Sequence, residues 1–222
     1  MNQETVSQIV LDVLLTQLSS TDDMKVEGTI KNMIKRSNPY SIYVYDDDIS
    51  FLLDKLHTYL NKSWETRFGN ILELIQIKVS GGVKSNEIGM DIDLPNCKYV
   101  GSKSGPNWAN SDQRKSIMRN SKQLVESKNA KVFVVCSYGK GRKEYEYYTQ
   151  VAGQEGWELL TDDSEMYKKI DLSLEKNKTV LQEIKNKVIG NITKQSVDFW
   201  KESFYTNNKF DRKKYLDYVS KK

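Results

Sequence analysis

Apolar residues recur at helical spacing over much of this chain and at strand spacing in two short stretches. Ile9, Val10, Val13, Leu14 and Leu18 share one face of a helix predicted over about residues 4–18, which the Ser19-Ser20-Thr21-Asp22-Asp23 cluster ends. Lys25 to Lys35 reads as a second helix, with Ile30, Met33 and Ile34 on one side and Pro39 as its limit. Ile49, Phe51, Leu52, Leu53, Leu56 and Leu60 resume the helical period. The Asp46-Asp47-Asp48 run before them suits the positive end of a helix rather than a metal. Asn61-Lys62-Ser63 is read as a break, after which Trp64 to Val79 forms a further helix burying Phe68, Ile71, Leu72, Leu74, Ile75 and Ile77. Glu73 lies inside that apolar run, where an acid needs a lysine or a metal as partner.

After the Ser80-Gly81-Gly82 turn the period changes to two. Met90, Ile92 and Leu94 alternate with Asp91 and Asp93, and Lys98 to Lys103 follows beyond Pro95-Asn96, which predicts two strands joined by a tight turn. A three-residue turn at Pro95 to Cys97 pairs Leu94 with Lys98, Asp91 with Gly101 and Gly89 with Lys103. In that register Asp91, Asp93 and Lys103 point the same way. A helix follows from Asp112 to about Lys128, opened by Asn110-Ser111, and Lys131 to Cys136 reads as a buried strand. A strand joined to the hairpin by a helix makes a mixed sheet with a crossover. Tyr145, Tyr147 and Tyr148 are read chiefly as packing residues, with stacking on DNA as the alternative. Gly156 to Leu160 is a last strand or a strand–helix join, and Ser164 is expected to cap a helix from Glu165 that carries Met166, Ile170 and Leu172. The tail from Thr179 is helical and charged, with Ile184, Val188, Ile189, Val197, Phe199, Phe204 and Tyr205 as apolar markers. It has three possible uses: to dimerise the protein, to clasp a ligand or to cap the core.

Composition narrows the class. At 222 residues the chain suits one well-cored domain with its core at about 30–175 and a helical extension over about 176–222. A charged content of 29% and the lack of any membrane-length apolar run exclude a spanning protein. The net charge is only +4, so any nucleic-acid binding rests on local patches. Cys97 and Cys136 have no metal-type spacing and no disulfide framework, and no signal peptide is recognised, which together indicate reducing cytoplasm. His57, the single histidine, is read as a helix residue, which argues against His-dependent nucleases and His-ligated zinc. Gly139-Lys140-Gly141-Arg142-Lys143 is basic and glycine-rich but lacks the ending of a nucleotide-binding loop.

Two acids and a lysine on one half-buried face are costly unless they bind something. Hard oxygen ligands suit magnesium, and a positioned ammonium offsets charge on a phosphoryl group. The plain alternative is an exposed hairpin whose charges are solvated. The basic helix carrying Arg114, Lys115, Arg119, Lys122 and Lys128 opens beside this face and can meet phosphates through side chains and N-terminal amides. Lys140, Arg142 and Lys143 can grip phosphates or read guanine edges, and Lys31, Lys35 and Arg36 can touch a phosphate backbone.

Ser102-Lys103-Ser104-Gly105-Pro106-Asn107-Trp108-Ala109-Asn110-Ser111, followed by Gln113, resembles the catalytic strand and following helix of PD-(D/E)xK type II restriction endonucleases. The resemblance extends to Asn38-Pro39-Tyr40, Ser63 to Glu73, Cys136 to Lys140 and Gly153 to Leu160, and is nearest to the branch that cuts interrupted GC-rich palindromes such as RGGNCCY. It implies a restriction-endonuclease-like α/β fold, a mixed β-sheet flanked by helices with helical N- and C-terminal additions. It also implies a homodimer that cleaves double-stranded DNA with Mg2+. On the matching positions, Asp91 and the Ser102 carbonyl would ligate the metal and Lys103 would assist the attacking water. Ser104, Asn107, Asn110, Ser111, Gln113, Arg114 and Lys115 would face DNA. One departure stands out: the acid expected two residues before the lysine is Gly101. Glu73, Asp93 and Gln113, in that order, are the candidates to supply the missing ligand. A repair or resolvase nuclease of the same fold, and a DNA-binding protein whose site has been lost at Gly101, are the alternatives.

Overall fold

The computed structural model describes residues 1–20, 26–189 and 192–220. In chain order, α1 (Gln3–Ser19) and α2 (Val26–Arg36) precede a 3-10 turn at Pro39–Val44 and the long α3 (Asp48–Ser80). The central strands are β1 (Val83–Lys84), β2 (Ile92–Leu94) and β3 (Lys98–Lys103), then α4 (Ser111–Lys128), β4 (Lys131–Cys136), β5 (Arg142–Glu144) and β6 (Thr149–Ala152). The chain closes with α5 (Gln154–Thr161), α6 (Met166–Lys176), α7 (Lys178–Ile189), α8 (Ile192–Phe204), the ribbon β7 (Tyr205–Thr206) and β8 (Lys209–Phe210), and α9 (Arg212–Ser220).

These elements make two compact units. The first comprises residues 1–17 and 68–181. Its sheet runs β1-β2-β3-β4-β6-β5, with β3, β4 and β6 parallel and the remaining pairs antiparallel. The β3–α4–β4 connection is the expected crossover, and the mixed sheet with flanking helices is the restriction-endonuclease-like α/β fold expected from the sequence. One face of the sheet packs on α4, where Ile117 and Leu124 meet Met90, Val132, Val134 and Tyr148. On α1, Val6, Val10, Val13 and Leu14 are buried at spacings of four, three and one residues, one stripe of the helix.

The second unit comprises residues 18–67 and 182–222. Its core joins Ile30, Met33 and Ile34 of α2 and Phe51, Leu52, Leu56 and Leu60 of α3 to Trp200, Phe204 and Tyr215 of the tail. Trp200 lies within 5.4 Å of Tyr215 and 4.8 Å of Phe204 by ring centroids. Asp48 accepts from Trp200 Nε1 at 2.8 Å and from the Tyr205 hydroxyl, so the acid that opens α3 is used to anchor aromatic side chains. The tail, expected as an extension, therefore shares a core with residues 18–67.

Several expectations are corrected. Asn61-Lys62-Ser63 does not break the chain: α3 is continuous, because none of the three residues restricts φ as Pro does and apolar residues bury on both sides of them. Gly156 to Leu160 lies in α5 just past the end of β6, so of its two readings the last strand is excluded and the strand–helix join agrees, although β6 itself was not foreseen. Ser164 does not cap α6; the flanking residue is Glu165, without a side-chain cap bond. The turn β7–β8 interrupts the helical tail at Asn207 and Asn208, whose φ values of 50° and 59° are left-handed as Asn tolerates. Thr21 to Lys25, and the side chains of Lys35 and Val188, lie outside the described residues.

Candidate active site

The site is built at the end of the β2–β3 hairpin. Leu94 pairs with Lys98, Asp93 with Tyr99 and Ile92 with Val100, the predicted register over those three pairs. The turn between them carries Asn96 and Cys97 at φ values of 61° and 54°. The ladder stops at Ile92, so the expected Asp91–Gly101 and Gly89–Lys103 pairs do not form. Instead Asp91 N donates to Val100 O at 2.8 Å, and Ser102 N donates to Asp91 Oδ2 at 2.8 Å. The carboxylate is thus folded back onto the main chain of β3.

Lys103 emerges from the end of β3 with its ammonium held three ways. Nζ lies 3.2 Å from Asp91 Oδ2 and 2.7 Å from Ser102 O, and 5.7 Å from the centre of the Trp108 ring. Trp108 in turn donates to Gln150 Oε1 at 3.2 Å, and Gln150 is buried on β6. The Lys103 carbonyl accepts from Ser137 N at 2.8 Å and from Ser137 Oγ, which takes a further bond from Gln76 Nε2 at 3.1 Å. Gln76 is fully buried on α3, one turn beyond Glu73, and its Oε1 has no hydrogen-bond partner among the described residues. Neither Gln76 nor Trp108 carries a charge, and neither contact was expected from the sequence, where Trp108 stood out only within the Ser102 to Ser111 stretch.

Glu73 reaches the same place through a residue that the sequence did not single out. Lys84 Nζ lies 2.5 Å from Glu73 Oε1 and 3.8 Å from Asp91 Oδ1. Its hydrogen bond to Glu73, reinforced by the charges of Glu73 and Asp91, holds the Lys84 ammonium above the ordinary lysine range. Lys84 follows a Gly-Gly turn that lets the end of α3 and β1 approach β2: a Cβ on Gly82 would stand 2.7 Å from Ile92 Cγ2. Two carboxylates and two lysines consequently form a chain, Glu73–Lys84–Asp91–Lys103, with side chains between 20% and 61% exposed.

Asp93 is half-buried, and its Oδ1 has no hydrogen-bond partner among the described residues. Gln113 is occupied elsewhere: its Oε1 accepts from Asn110 N at 3.0 Å while Asn110 Oδ1 accepts from Gln113 N and Asp112 N, a complete capping box at the start of α4. Ser104, Asn107, Ser111 and Lys115 are exposed around this start, and the Arg114 guanidinium donates to Ala109 O and the Tyr145 hydroxyl. Lys140 and Lys143 are exposed on the β5 side of the sheet, where Arg142 is paired with Glu144 at 2.7 Å. Tyr148 is buried and stacked on Tyr145, whereas Tyr147 lies under Lys122.

For a divalent cation the arrangement offers oxygen donors only: Glu73, Asp91 and the Ser102 carbonyl. Among the described residues no cluster of three or more His, Cys, Asp or Glu side chains gathers. A magnesium ion keeps several waters and takes one or two carboxylates, so this donor set fits it. That both acids already hold one ammonium between them shows that the space accepts a positive charge. Cys136 pairs with Lys103 across β3 and β4, and burial pushes its thiol up to about 11, which leaves it a poor nucleophile.

The family model described as Type II restriction endonuclease EcoO109I matches residues 3–181 of this chain. A search of the curated proteins gave no match.

Proposed function

Since the chain belongs to the type II restriction endonucleases of the EcoO109I family, and so is a DNA-cleaving restriction enzyme, we propose that it hydrolyses both strands of duplex DNA at a short palindrome, interrupted or continuous, in a Mg2+-dependent reaction. The observation that carries this reading is the Asp91–Lys103 pair, 3.2 Å apart at the end of a strand hairpin, with Glu73 brought beside it from α3. In this reading the site is a PD-(D/E)xK centre in which Glu73 takes over from the acid missing at Gly101. Asp93 is the second choice, because its unpartnered oxygen is a ligand in waiting.

Asp91, Glu73 and the Ser102 carbonyl would hold the metal. When bound, Mg2+ supplies a Lewis acid that polarises the phosphoryl group and makes a ligated water more acidic. The Lys103 ammonium orients the attacking water and offsets charge on the scissile phosphate. Trp108 and the Gln76–Ser137 pair fix that ammonium and the strand that bears it, limiting the geometries the water can take. Exposed Ser104, Asn107, Ser111 and Lys115, with Arg114, Lys140, Arg142 and Lys143, supply phosphate and base contacts around the site. No helix among the described residues is long and apolar enough to cross a membrane; the reducing cytoplasm is the compartment proposed for this activity.

Digestion of several plasmids with magnesium tests the reading. Discrete fragments support it, smearing indicates a general nuclease, and intact DNA indicates a binding protein. Asp91→Ala is expected to abolish cleavage while sequence-specific duplex binding persists in gel shifts; full activity would remove Asp91 from the site. For Lys103→Met the single-turnover rate should fall by about a hundredfold or more, with the melting temperature nearly unchanged. A purely structural ion pair gives the reverse, a lower melting temperature with normal turnover per folded molecule.

A further inference from the structure

The two lysines of the site are held differently. Lys103 is 28% exposed and fixed by Asp91, the Ser102 carbonyl and the Trp108 ring. Lys84 is 61% exposed, on a two-residue strand at the edge of the sheet, and among the described residues its ammonium pairs with the Glu73 and Asp91 carboxylates. Its neighbour Val83 is also exposed, so β1 carries little packing that would restrain the four-carbon stem. One lysine is built in; the other can leave.

From this asymmetry we infer that Lys84 is the exchangeable counter-ion of the metal site: its ammonium neutralises Glu73 and Asp91 before loading and swings into solvent when the divalent cation takes its place between them. The inference rests on the metal reading proposed above. Without Lys84 the two acids face each other with only Lys103 to offset them; with a divalent cation present, Lys84 becomes a surplus positive charge within reach of the ion. The same ammonium therefore protects the empty site and competes with its occupant. This also accounts for Glu73 in a chain that lacks the acid at Gly101. The Glu73 carboxylate is kept beside Asp91, although no residue on β3 holds it there.

The test is metal uptake without DNA. Mn2+ suits oxygen donors, and its binding is read from loss of the free-ion electron paramagnetic resonance signal. Lys84→Met is expected to tighten Mn2+ binding by about tenfold, as removal of one adjacent like charge should. Lys84→Arg, which keeps the charge, should stay within about twofold of the wild type. Unchanged or weaker binding by Lys84→Met, while Asp91→Asn abolishes uptake, overturns the inference and leaves the metal reading standing. If the wild-type protein takes up no Mn2+, or Asp91→Asn takes it up equally, the metal reading itself fails. Because Lys84 is exposed at a sheet edge, both variants should fold, and circular dichroism in a chelator verifies it.

Discussion

At Gly101 a Cβ would meet Gly89 O and Ile117 Cδ1 at 3.7 Å, ordinary van der Waals separations. A methyl group at this buried position is therefore not excluded by lack of room. Gly101→Ala should fold with stability within about 1 kcal/mol of the wild type, on the stabilising side, because alanine loses less chain entropy than glycine in a strand. Gly153 is the contrast: at φ +61° its Cβ would stand 2.2 Å from Gly139 O, so Gly153→Ala should cost more than about 1 kcal/mol. Urea denaturation of the two variants checks both signs. At this scale Asp91 and Lys103 were legible because strand alternation puts both on one face, and Glu73 stood out as an acid in an apolar run. Its partner was not legible. Lys84 is set beside Glu73 by a glycine turn and the register of a two-residue strand, neither of which leaves a periodic trace in the sequence.

Among the elements, α4 carries residues proposed to meet DNA and is also capped by two of them. Asn110 and Gln113 were candidates for DNA contact on the strength of a motif, and the structure engages both in the capping box that starts the helix. Asn110→Ala should then lower stability by about 1 kcal/mol, within the usual range for a lost cap; chemical denaturation measures it. An Asn110 that served DNA alone would leave the midpoint unchanged and weaken only binding. Helices α1 and α2, marked by apolar spacing, and α4, marked by its Asn110-Ser111 start, were readable almost to their ends, as were β3 and β4. The elements that escaped are short or were split by polar residues. The strands β1 and β7 have two residues each, and α3 runs through Asn61-Lys62-Ser63 because its flanking turns bury enough apolar surface to carry it.

For the whole molecule, symmetry makes the next demand. Each chain has one candidate site, and a palindrome presents the same half-site twice, related by a two-fold axis. Cutting both strands at equivalent bonds in one binding event requires two such sites, hence two chains. The tail was one candidate for the dimer surface, but Trp200, Phe204 and Tyr215 are buried within its own unit, so its largest apolar side chains are already committed. Any contribution from the tail or from α1 and α2 must therefore come from their exposed, largely polar faces. Such an interface is sensitive to salt. Sedimentation at micromolar concentration should accordingly show a species of two chain masses at low ionic strength, held together more firmly on a cognate duplex than free. A single chain mass in both conditions, with double-strand breaks still produced in one binding event, would remove the dimer and the palindrome together.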